Sequence, residues 1–186
     1  FAFYSPHEAV TRLFGVAGVG DVEPRWNIAP TQHIAVVRAG DGGRRDLAML
    51  HWGLVPSWAK ERSIGARMIN ARGETLKEKP SFRNAYRRRR CLILADGYYE
   101  WQRSGGVKQP FFISFTDGEP FGMAGLWESW KDPASGEPLG WNKLGYFHER
   151  LPGCQGDVGE RCSVEMVDGL GLKGYICCCH HYEFGI

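Results

Sequence analysis

Glu100 lies in the run Asp96-Gly97-Tyr98-Tyr99-Glu100-Trp101, with an aromatic residue on each side. Apolar neighbours raise a carboxyl pKa and suit the group to moving protons, whereas a strand glutamate facing water would do neither; the local pattern is compatible with both. A second polar pair, Asn70 and Arg72, follows the apolar Met68-Ile69 and leads into Gly73-Glu74-Thr75. In Trp52-Gly53-Leu54-Val55-Pro56-Ser57-Trp58-Ala59, two tryptophans flank a Gly/Pro turn. An aromatic presented on such a turn can stack on a base or wedge into a duplex step, although tryptophan is more often a core residue than a contact surface. Other patterns carry no chemistry. Gly15-Val16-Ala17-Gly18-Val19-Gly20 lacks the spacing of a dinucleotide fingerprint and follows a helical pattern rather than a strand. His148-Glu149-Arg150 would need a second histidine four residues after the first to form a zinc-hydrolase helix, and Pro152 stands there instead. In Cys177-Cys178-Cys179-His180-His181 adjacent side chains point apart, while tetrahedral zinc uses spaced pairs, so no metal site is assigned.

Positioning these groups is the task of a strand-rich chain. Ser5-Pro6-His7-Glu8 reads as an N-cap, a proline at the first helical position and an acidic first turn, and Val10, Leu13 and Phe14 follow at helical spacing, predicting a helix over Pro6–Phe14 that Gly15 ends. Strand signals follow at Ile34–Val37 and Leu47–Trp52, joined by Gly40-Asp41-Gly42-Gly43 as a hairpin. Further strands are expected at Cys91–Ala95, Tyr98–Trp101, Pro110–Phe115 and Phe121–Trp127, with one more helical turn over Ser81–Tyr86. No strand–helix alternation of the doubly wound kind is present. The expected class is α+β: a β-rich, curved or barrel-like antiparallel core with a few short helices.

The 186 residues fit one core, and 43% hydrophobic with 24% charged residues exclude disorder, collagen and coiled coil. No apolar run approaches the roughly 18–20 residues of a membrane span, and no signal-peptide pattern opens the chain. A cytosolic compartment, nucleoid-associated or nuclear-type, is expected, with no membrane partner and no secretion. Five of the six cysteines fall in the last 33 residues, which is not a disulfide framework, and Cys91 reads as an interior strand residue. Charge is unevenly spread. Residues 60–110 carry 13 Lys and Arg against 5 Asp and Glu, while residues 111–186 carry 5 against 11. The basic middle points to phosphate, although Arg87-Arg88-Arg89-Arg90 taken alone also fits a solvated turn before a strand.

Seven runs together, Trp26-Asn27-Ile28-Ala29-Pro30, Trp52–Trp58, Asn70–Thr75, Ala95–Trp101, Gln109-Pro110-Phe111-Phe112, Ala124-Gly125-Leu126-Trp127 and His148–Pro152, resemble the SOS-response-associated peptidase (SRAP) family. Order and approximate spacing match from Phe1 to about Glu137. The resemblance implies a domain over residues 1–152, with residues 153–186 a tail that does not align. It also implies a sensor that binds single-stranded DNA at abasic sites. In that family the initiator methionine is removed by self-processing to expose a cysteine, whose thiol and α-amine close a thiazolidine on the aldehyde of the opened sugar. Carried over residue by residue, the resemblance makes Glu100 the acid/base, Asn70 the residue that orients the intermediate, and His148 an aid to sugar opening or reversal. Asn27, Pro30, Trp58 and Arg72 hold phosphates or wedge beside the lesion. No cofactor is required, and a monomer is expected. The family lead reads Met-Cys-Gly-Arg-Phe, and the 186 residues begin at that phenylalanine, so the nucleophilic cysteine and the arginine are not among them. Two rivals remain: a non-catalytic single-stranded nucleic-acid binder using the same basic and aromatic face, and a metal-binding module in the Cys/His tail.

Overall fold

A computed structural model describes residues 1–16, 22–104, 106–135, 143–148, 163–164 and 174–175. The first helix, α1 (His7–Phe14), buries Val10 and Phe14, one turn apart, on one face. It begins one residue later than expected because Ser5 does not cap it. The Ser5 hydroxyl donates to Oδ1 of Asp96 instead, and Pro6 takes the extended N-cap position. Gly15 ends the helix in the left-handed conformation, φ 63°, with its N–H on the Thr11 carbonyl.

Strands β1 (His33–Ala39) and β2 (Arg45–Trp52) form the expected hairpin, with Ile34 opposite Leu50 and Val37 opposite Leu47. After the short β3 (Asn70–Arg72) and the helix α2 (Arg83–Arg88), β4 (Arg90–Ala95) pairs antiparallel with β1 on one side and with β7 (Phe121–Glu128) on the other. Between them β5 (Tyr98–Ser104) and β6 (Val107–Ile113) make a separate two-stranded hairpin, so the Gln109–Phe112 run pairs with the Glu100 strand and not with β7. A strand absent from the sequence expectations, β8 (Lys143–His148), lies antiparallel to β7 and parallel to β3. The main sheet therefore runs β2-β1-β4-β7-β8-β3. It curls until His51 and Trp52 meet Lys143 and Leu144 in two parallel pairs, short of a continuous barrel seam. The α+β class with a curved, mainly antiparallel core is thus what the chain forms.

Four consecutive residues of β1, Ile34 to Val37, are buried, as are Cys91 to Ala95 of β4, because both faces of the curved sheet are covered. Phe3, Val10 and Phe14 pack on one cluster with Val36, Leu92 and Ile93. Leu54, Ala71, Leu76, Phe82 and Ala85 form a second with Ala124 and Leu126 of β7. Cys91 is 3% exposed, consistent with a structural thiol.

The basic run divides. Arg87 and Arg88 close α2 and face solvent, whereas Arg89 pairs with the buried carboxylate of Glu128 and lies 5.6 Å from the Trp127 ring centroid. Arg90 opens β4, its guanidinium carbon 6.0 Å from the Tyr86 ring centroid. Arg89 and Arg90 therefore pack against the fold, while Arg87 and Arg88 are exposed.

Candidate nucleic-acid interface

Segments that hold or adjoin Asn27, Asn70 and Glu100 are linked, directly or through Trp52, to Phe1 and Ala2. The Phe1 backbone nitrogen donates to the Ile28 carbonyl at 3.1 Å, and the Ile28 N–H returns a bond to the Phe1 carbonyl at 2.7 Å, which sets Asn27 beside the chain start. The Phe1 ring lies 5.3 Å from that of Trp52. The Trp52 indole N–H donates to the Ile69 carbonyl at 2.8 Å, which brings in Asn70. The Ala2 N–H donates to the Gly97 carbonyl at 2.8 Å, just ahead of the strand that carries Glu100. Ile28, Ile69 and Gly97, which adjoin or precede Asn27, Asn70 and Glu100 in sequence, are thus linked directly or through Trp52 to the Phe1–Ala2 segment.

Asp96 clamps that segment. It is 2% exposed, and its carboxylate accepts the Tyr4 N–H at 2.5 Å, the Ser5 N–H at 2.9 Å and the Ser5 hydroxyl. Burial first, then the Asp96 carboxylate and Tyr99, push the Tyr4 phenol above its ordinary value, so it keeps its proton at neutral pH. Tyr4 stacks on Trp26 at 4.1 Å between ring centroids, and the Tyr99 hydroxyl donates to the Trp26 carbonyl at 2.8 Å. The loop carrying Asn27 and Pro30 is braced in turn by Gln32, whose Oε1 accepts from Ala29 N–H and from Arg25. Thr31, next to Pro30, holds φ 70°, a left-handed conformation unusual for threonine, with its N–H on the Trp52 carbonyl at 2.9 Å. Asn27 and Pro30 are both exposed.

Glu100 is half-buried. Its sequence neighbours Tyr99 and Trp101 point to the opposite face of the hairpin, because strand side chains alternate; its cross-strand neighbour is Phe111. The aromatic opposite Glu100 across the hairpin is therefore eleven residues away in sequence.

The parallel ladder between β3 and β8 sets Asn70 opposite Tyr146 and Arg72 opposite His148. Asn70 and Arg72 share one face and are exposed, with buried Ala71 between them as the anchor. The backbone of His148 is thus adjacent to Arg72; its side chain lies outside the described residues, as do Glu149–Pro152, the turn through Gly18 and Gly20, and the Cys177–His181 run.

The two tryptophans of the Gly/Pro turn have different fates. Trp52 packs against the core and Trp58 is 58% exposed. Buried Val55 and Pro56 hold the turn, and the Ala59 carbonyl accepts the Trp130 indole N–H at 2.6 Å. Gly53 opens it at φ 141°, and a Cβ there would stand 2.6 Å from the Gly65 carbonyl oxygen. Gly53→Ala is therefore expected to cost about 1–3 kcal/mol in a denaturant titration and to displace Trp58. An alanine protein with unchanged stability would remove this account of the turn.

A family model, SOS response associated peptidase (SRAP), matches residues 1–144. The abasic site processing protein YoqW of Bacillus subtilis is 41% identical over 143 residues, covering 75% of this chain and 63% of that protein. The abasic site processing protein HMCES of Gallus gallus is 34% identical, covering 72% of this chain and 51% of that one. The chain thus spans between half and two-thirds of these relatives' length. Among solved structures, a Bordetella bronchiseptica protein superposes with a TM-score of 0.67 at 25% identity, over 83% of this chain and 72% of its own.

Proposed function

From the chain's membership of the SOS response associated peptidase (SRAP) family, we propose that it engages abasic sites in single-stranded DNA and, when a cysteine follows the initiator methionine ahead of Gly-Arg-Phe1, captures them covalently. The observation that supports this reading is the linkage of Ile28 and Gly97 directly, and of Ile69 through Trp52, to the Phe1–Ala2 segment, so that the elements bearing Asn27, Glu100 and Asn70 share one framework. A cysteine three residues ahead of Phe1 would lie within about 10 Å of it, since an extended chain spans at most about 3.3–3.6 Å per residue.

The chemistry asks for proton transfers at one carbon. The α-amine adds to the C1′ aldehyde of the opened sugar, the carbinol oxygen leaves as water to give an imine, and the thiol sulfur adds to the imine carbon while nitrogen regains a proton. Glu100 donates the proton that lets water leave and takes the thiol proton on closure. Asn70 orients the intermediate without competing as a nucleophile. His148 assists sugar opening or reversal, and Arg72, Asn27, Pro30 and Trp58 hold the strand. No metal or cofactor enters these steps. Exposure of the cysteine by hydrolysis of the methionyl bond is the peptidase activity of the same site. This reading makes the protein a DNA-damage enzyme of the cytosol, nucleoid or nuclear compartment; no described helix is long and apolar enough to cross a membrane.

A version of the protein carrying Met-Cys-Gly-Arg ahead of Phe1 is expected to form a denaturant-resistant adduct with abasic single-stranded DNA, and the chain starting at Phe1 is not. Gel analysis after heating reads the outcome. Equal crosslinking by both would assign the reaction to another nucleophile. Salt-sensitive binding of both to single strands with no adduct from either would favour the non-catalytic binder.

A further inference from the structure

We propose that the cavity between the Trp58-bearing turn and the end of α2 is a second, dedicated site for a phosphate group of the bound strand. The inference rests on the reading above that the chain holds a DNA strand. The cavity is an open cleft of about 350 Å³, lined by Ser57, Asn84, Arg87, Arg88 and Arg89. No carboxylate is among these residues. Asn84, Arg87 and Arg88 stand three and four positions apart on α2 and so share one face of it, while Ser57 arrives from a segment more than twenty-five residues earlier.

The charges in this cavity are not equivalent. Arg89 is committed to Glu128, whose Oε1 also accepts the Ser129 N–H at 2.9 Å, and this pair supplies a fixed wall with little net charge. Arg87 and Arg88 are exposed and make no ion pair among the described residues. Two uncompensated guanidinium groups beside an amide and a hydroxyl are the donor set of a phosphate site, because guanidinium forks match phosphate oxygens bidentately. A helix end attracts cations by itself, which accounts for arginines in the last turn of α2. It does not account for their sharing a cavity with Ser57 and no acid. The volume admits a phosphate with its sugar. Ser57 and Trp58 are consecutive, so a base stacked on Trp58 and a phosphate in the cavity would be neighbours along one strand. The occupant is either an internal phosphodiester or a terminal phosphomonoester, which share this chemistry.

The test uses the full chain and the pairs Arg87→Gln/Arg88→Gln and Arg87→Lys/Arg88→Lys, at exposed positions where thermal melting should be unchanged. Each is titrated with an unmodified single-stranded oligonucleotide, with and without a 5′-phosphate, across a range of salt. The glutamine pair should lose about tenfold in affinity, and its log–log salt slope should fall by about 1. The lysine pair should recover the slope but not all of the affinity, since it keeps the charge and loses the fork. A loss confined to the phosphorylated strand identifies the monoester, and an equal loss on both identifies the diester. Equal affinity and slope for the original and glutamine proteins on both strands would overturn the site. Should the original protein hold neither strand, the function proposed above fails separately. Inorganic phosphate, followed by the arginine side-chain signals in nuclear magnetic resonance, then decides: saturable shifts abolished in the glutamine pair keep the anion site, and their absence ends it.

Discussion

Glu100→Gln, introduced together with the Met-Cys-Gly-Arg lead, is expected to slow adduct formation by about 10²–10⁴ while leaving affinity for a non-reactive abasic analogue nearly unchanged. Water leaves and the ring closes only as protons move, and glutamine keeps the shape of the side chain without a titratable acid/base group. Position matters as much as type. Glu100 stands on a paired strand opposite Phe111, three residues beyond the Gly97 that bonds Ala2, so its Cα is held relative to the chain start by backbone bonds. Arg72→Ala should do the reverse, lowering affinity and flattening the salt dependence by roughly one counterion while the single-turnover rate at saturating DNA holds. Comparing that rate with equilibrium binding separates the two roles. A Glu100→Gln protein that reacts at full speed would reduce Glu100 to a structural strand residue.

Asp96→Ala should bring the largest loss of stability, about 3–5 kcal/mol, by thermal or denaturant unfolding. The carboxylate is buried and makes three hydrogen bonds to Tyr4 and Ser5, each a charge-assisted contact worth about 1.5–3 kcal/mol net, so removal strands two backbone N–H groups as well. The consequence reaches beyond the clamp, since the segment released also bonds Ile28 and Gly97, close in sequence to Asn27 and Glu100. Amide hydrogen exchange at Tyr4 and Ser5 should accelerate before the rest of the core does. Asp96→Asn should fall between, because its amide oxygen can still accept. Slow exchange at Tyr4 and Ser5 in the alanine protein would show that the buried Ala2 and Phe3 hold the segment without the clamp.

Much of this molecule is legible in its residue order alone. Periodicity locates α1, the β1–β2 hairpin and the apolar strand Cys91–Ala95, because a buried strand with both faces covered is a run of consecutive apolar residues whatever its partners are. The six motifs from Trp26 to Trp127 lie within the residues the family model matches, and each is local: a turn such as Trp52–Trp58 needs its Gly and Pro in any fold that contains it. The basic excess in residues 60–110 is likewise a matter of counting.

Pairing and burial are decided only in three dimensions. Strand Lys143–His148 is flanked by β7 and β3, neither of which adjoins it in any local window, so its place in the sheet is set by those edges. Ser5 carries the signature of a helix cap, yet a buried Asp96 more than ninety residues away competes for its hydroxyl and wins, because a carboxylate is the stronger acceptor. The aromatics flanking Glu100 in sequence turn to the other face, and the hairpin register supplies Phe111 in their place. Four consecutive arginines look equivalent along the chain. Only the reach of Arg89 to Glu128, and the exposure of Arg87 and Arg88 beside Ser57 in one cavity, tell them apart. Local residue types specify which chemistry is available, and long-range packing, which no local window contains, selects the groups that remain free to perform it.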